Sequence, residues 1–94
     1  MNNQDTPLKE FRVAKRWSPE KGDFVYTVEQ RFENTRMVSQ KEVKTKYFRP
    51  LVEVDEEIAR KNAEHYGVEF PTEEHDAFAE AEATLKEAKR KGIL

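Results

Sequence analysis

Residues 10–17 (EFRVAKRW) and 24–31 (FVYTVEQR) can be zipped antiparallel in a single register that satisfies both sides at once. With residues 18–23 as the loop, Trp17 meets Phe24, Val13 meets Val28 and Phe11 meets Gln30 on one side. On the other side Arg12 meets Glu29 and Glu10 meets Arg31. Apolar and opposite-charge cross-strand pairs each stabilise a sheet. A slip of one residue would turn every apolar side chain to the wrong side. The hairpin therefore separates an apolar underside from an outward face that carries arginine.

The loop supports this reading, because Pro19 presets φ and Gly22 can take positive φ. Phe24, Tyr26, Val28 and Phe32 alternate with polar neighbours, the period of a half-buried strand. Asn34, in residues 33–36, suggests a second tight turn. A third strand then runs from about Met37 to Phe48, with Met37, Val43 and Tyr47 on the apolar face. Ser39 and Lys41 fall on that face too, which calls for a bulge or for an uncovered strand end. Arg49-Pro50 ends the sheet, since proline donates no ladder hydrogen bond.

Helical periodicity takes over after Pro50. Asp55 is a good N-cap for a helix over residues 56–66, and Gly67 stands where a left-handed C-cap belongs. Thr72 is the expected cap of a second helix over residues 73–91. Phe78, Ala81, Leu85 and Ala88 recur at three and four residues and read as its inner stripe. The expectation is an α+β fold: a three-stranded antiparallel meander followed by two helices packed on one face. It forms a single domain, with residues 1–8 a polar flexible tail, 9–49 the sheet and 55–92 the helices. Phe78 and Val28 are expected core anchors.

Composition limits what such a fold can do. Of 94 residues, 36% are apolar and 38% charged, so the core must be small. A chain of this length buries only about 60–65% of its unfolded surface. The net charge is −2, but residues 1–50 carry eleven Lys/Arg against seven Asp/Glu, and residues 51–94 carry six against twelve. This polarity excludes a uniformly basic nucleic-acid coat and leaves room for one basic face. There is no cysteine, which removes disulfides, zinc-thiolate sites and cysteine nucleophiles. No apolar run approaches a membrane span, and the first residues lack a signal-peptide core. A cytoplasmic, membrane-free protein is expected.

Chemistry-bearing motifs are absent. Ser18 and Ser39 stand in no nucleophile motif, and the three glycines are isolated. His65 and His75 lie on different predicted helices without metal-ligand spacing. The acidic start and basic end of the second helix complement its dipole. No catalytic residue, metal or cofactor is expected.

What remains is a surface. Arg12, Arg16 and Arg31 share the outward face with Lys44 and Lys46, while Trp17, Tyr47 and Arg49 lie near strand ends. Basic and aromatic side chains on an open sheet suit nucleic acid. The carboxylates opposite Arg12 and Arg31 argue the other way. The sequence therefore favours a small non-enzymatic accessory or regulatory protein, of phage or prophage type, that binds another protein. Nucleic-acid binding by the outer sheet face is the alternative. A homodimer through an open sheet edge is a further expectation.

Overall fold

The computed structural model describes residues 3–92. Three antiparallel strands, β1 (Asn3–Ser18), β2 (Asp23–Val38) and β3 (Lys41–Val54), lie in the order β1-β2-β3 and are followed by helices α1 (Glu56–Tyr66) and α2 (Ala77–Arg90). The α+β meander with two trailing helices is the fold the sequence predicts. The hairpin register is also as predicted: Trp17 pairs with Phe24, Val13 with Val28, Phe11 with Gln30 and Arg12 with Glu29. Glu10 and Arg31 form an ion pair at 3.1 Å. Gly22, at φ 62°, closes the first loop with a 2.8 Å bond from its N–H to the Ser18 carbonyl.

The strands run longer than expected. Residues 3–8, taken as a tail, belong to β1, and residues 3–7 pair with residues 32–36; Met1 and Asn2 lie outside the described residues. Residues 33–36 form no turn, because β2 continues to Val38. These two corrections have one cause. An extended β2 exposes backbone donors and acceptors along its length, and polar residues 3–7 satisfy them. The second turn is the two-residue loop Ser39-Gln40, with both φ values positive at 50° and 66°. That is the primed-turn pattern whose twist suits a hairpin.

β3 also passes through Pro50 rather than ending there. The ladder shifts at this point: Val28 pairs with Val52 and Glu29 with Pro50, leaving Leu51 as a bulge. A bulged edge strand is where a sheet tolerates proline. The bulge anticipated in the third strand thus lies near its end, not its start.

The first helix is bounded as predicted. The Asp55 side chain accepts from the Ile58 N–H, and Gly67 at φ 66° donates its N–H toward the Ala63 and Glu64 carbonyls. The second begins later than predicted, with Asp76 rather than Thr72 as its cap. The intervening segment is engaged elsewhere. The His75 N–H donates to the Lys15 carbonyl at 2.7 Å, and the Lys15 N–H donates to His75 Nδ1 at 3.3 Å. This pairing covers part of the outer edge of β1, which would otherwise be open to strand addition.

The core is sparse and rich in alanine. Val13, Ala59 and Ala63 form its centre, with Tyr26, Val54, Val68 and Phe70 packed around them. Phe11 stacks on Tyr66 at 4.7 Å, and Tyr26 meets Phe70 at 5.0 Å. Small Ala59 and Ala63 let α1 lie close to the Val13 side of the sheet. Side chains alternate along a strand, so Arg12 points to the other side. There α2 begins, with Glu80 bonded to Arg12 and Arg16. The shared apolar face is thus the seat of α1, while the first turns of α2 take the ionic side. Phe78 is not a core anchor, since it is 85% exposed, whereas Val28 is buried.

Candidate functional site

The most ordered cluster of charge is centred on Glu29, which has no solvent exposure. Cross-strand pairing sets Arg12 opposite it, and Arg16 follows four residues along β1 on the same face. Arg12 donates from Nε at 3.0 Å and Nη2 at 2.8 Å to Glu29 Oε1. Arg16 donates from Nε to Oε2 at 2.8 Å and from Nη2 to Oε1 at 3.0 Å. Thr27, two residues back on the same face, adds its hydroxyl to Oε2 at 2.7 Å. Glu80 of α2 closes the cluster, accepting from Arg12 at 2.7 Å and Arg16 at 3.0 Å. Two guanidiniums meet two carboxylates, so the cluster is neutral.

The electrostatics follow from this geometry. Burial pushes the Glu29 carboxyl upward, but the bonds from Arg16, Thr27 and Arg12 outweigh it and hold the pKa below its usual 4.5. Glu80 behaves alike: burial raises it, and the bonds and charges of Arg12 and Arg16 bring it below 4.5. Arg16 is raised, chiefly by its bond to Glu29. His75, whose carbonyl accepts from Arg16 at 2.7 Å, is lowered from 6.5 by burial first and then by the charge of Arg12. Its Nδ1 is an acceptor, so the neutral ring is the form that fits. The bonds of the cluster favour the ionised forms of Glu29, Glu80 and Arg16.

The residues singled out in the sequence are divided among four places. Arg12 and Arg16 lie half-buried in the cluster, and Arg12 also stacks on Phe48 at 3.9 Å. Arg31 pairs with Glu10 and reaches the same Phe48 ring at 5.3 Å. Tyr47 and Arg49 form a second group on Phe32. The rings of Phe32 and Tyr47 stack at 5.9 Å, Arg49 sits 4.2 Å over Phe32, and its Nη2 donates to the Tyr47 hydroxyl at 2.8 Å. Lys44 lies 3.5 Å from Glu42 and 3.8 Å from Glu33, while Lys46 is exposed opposite Glu33. Trp17 stands apart at the hairpin end. It is 49% exposed, in edge contact at 5.2 Å with Phe24, itself 41% exposed. The ammonium of Lys15 lies 4.7 Å over the Phe24 ring.

Sequence reasoning missed the partners Glu80 and His75. Both looked like ordinary acidic or first-turn residues of a helix, and only the path of residues 67–76 brings them to β1. It also assigned Phe78 inward. Periodicity identifies a stripe but does not say what covers it.

Among the described residues, no group of three or more His, Cys, Asp or Glu is placed to hold a metal ion. No helix among them is long and apolar enough to cross a membrane. No protein-family model, no curated protein and no solved structure matches the chain.

Proposed function

We propose that this chain is a small cytoplasmic, non-enzymatic accessory protein that binds another protein through the open end of the β1–β2 hairpin. The observation that carries the reading is the exposed Trp17–Phe24 pair. Rigid aromatic side chains on strands lose little conformational freedom on binding and dominate interface energetics. Lys15, whose ammonium lies over the Phe24 ring, would steer an acidic partner surface toward the rings. The nucleic-acid reading is weakened by the same cluster that orders the sheet. Arg12 and Arg16 spend their donors on Glu29 and Glu80, so neither is available to phosphate.

The test is affinity capture from extracts of the source organism on the intact chain and on a Trp17→Ala, Phe24→Ala double variant. A stoichiometric protein held by the first and lost by the second is the expected result. Equal retention on both surfaces overturns the assignment to this patch. Nuclease-sensitive retention, with a gel shift at low salt, returns the function to nucleic acid.

A further inference from the structure

The stripe that the sequence marks for burial on α2 is largely uncovered. Phe78 is 85% exposed and Leu85 52% exposed, with Ala81 exposed between them. These residues lie at i, i+3 and i+7, on one side of the helix. The sheet takes a different side, through Glu80, Glu87 and Ala88. Beside Leu85 and Ala88 opens a groove whose sheet wall carries Thr45 and Tyr47 with Asp5, Asn34 and Arg36 at its rim. The helix therefore presents a ring that nothing among the described residues covers and, two to three turns on, a recess lined by Leu85 and Ala88.

We propose that a second copy of this chain docks here, with the two α2 helices antiparallel about a twofold axis. A knob and a recess on one helix are self-complementary under such an axis: Phe78 packs at Leu85 of the partner subunit, and the partner's Phe78 packs at Leu85. The charges at the two ends of α2 favour the antiparallel sense. Glu73 and Glu74 precede α2, while Lys86 and Lys89 lie in its last turns, all four exposed and outside the ion pairs formed among the described residues. With Phe78 against Leu85 of the partner subunit, Lys86 and Lys89 approach the partner's Glu73 and the partner's Glu74. A parallel pairing would set like charge against like. Ala81, between Phe78 and Leu85, permits close approach of the two helices. This surface is separate from the Trp17–Phe24 patch, so each stands without the other.

Sedimentation velocity of the intact chain over a range of concentrations tests the proposal. A dimer is expected, weakened by salt. Phe78→Glu should give monomer with an unchanged thermal transition at low concentration, because the replaced ring is in water. Lys86→Glu with Lys89→Glu should weaken the dimer roughly tenfold or more, and adding Glu73→Lys with Glu74→Lys should restore it. A chain that stays monomeric throughout overturns the proposal. So does a dimer indifferent to Phe78→Glu, which would pair through the β3 edge or the hairpin end instead.

Discussion

Val13 and Arg12 are neighbours in the chain and point to opposite sides of β1, and they receive unlike covers. Over Val13, α1 sets Ala59 and Ala63, so small side chains let helix and sheet approach closely. Over Arg12, α2 sets Glu80, and the contact is carried by ions around a carboxylate that water does not reach. The apolar side is stabilised by area removed from water, a graded quantity. The ionic side is stabilised by completeness: each group is tolerable there only while its partners remain. The lesson is that a basic sheet face need not be a binding face. Here its arginines are consumed in making a charged strand surface acceptable to a helix.

The largest expected effect breaks the ionic side from within. Glu29→Ala should cost about 3 kcal/mol, because it leaves two half-buried guanidiniums side by side with only the exposed Glu80 between them. Glu80→Ala removes an equally charged partner that is 40% exposed, and the arginines can then turn to water. Its cost should be about 1 kcal/mol or less. Urea denaturation of both variants measures the contrast. Equal losses would show that the depth of Glu29 does not matter. On the apolar side, Val28→Ala should cost about 2 kcal/mol, from two lost methyl groups and partial collapse around Val13. A loss as large as that of Glu29→Ala would erase the distinction between the two covers.

What the sequence made legible follows the same division. The register of the hairpin, the bounds of α1 and its two caps were readable because each rests on pairs or caps within a short span. The cluster was half readable: Arg12 opposite Glu29 follows from register, but Glu80 lies 68 residues from Arg12 and arrives only by tertiary path. The second turn was misplaced because Asn34 carries turn chemistry and Ser39-Gln40 does not. Backbone pairing of residues 3–7 with β2 overrode that local preference.

Acid should separate the two sides further, in two steps. His75 has a folded pKa below its usual 6.5, so the unfolded chain binds the proton more readily, and stability falls as pH drops from about 6.5 toward the lowered value. Protonation also removes the acceptor for the Lys15 N–H. The second step comes lower. Glu29 and Glu80 lie below 4.5 when folded, so their contribution is intact above that value and fades as pH falls through their folded values. Denaturation midpoints taken across pH should show both steps. His75→Asn should delete the first and keep the second; a first step that survives belongs to another group.

The smallest effect is the sharpest test of how α2 sits. Phe78→Ala, measured at concentrations too low for association, should change stability by less than about 0.5 kcal/mol, as for a surface site. Periodicity alone would rank Phe78 with Val28, as a buried residue at the base of a stripe. The structure ranks them apart because Glu80 and Glu87, not Phe78, face the sheet, and that orientation is set by Arg12 and Arg16. The two explanations therefore make opposite forecasts for one substitution. A melting temperature lowered as far as in Val28→Ala would mean that α2 is turned about its axis with Phe78 inward. Glu80 could not then reach the arginines, and the ionic cover would lose the group that closes it.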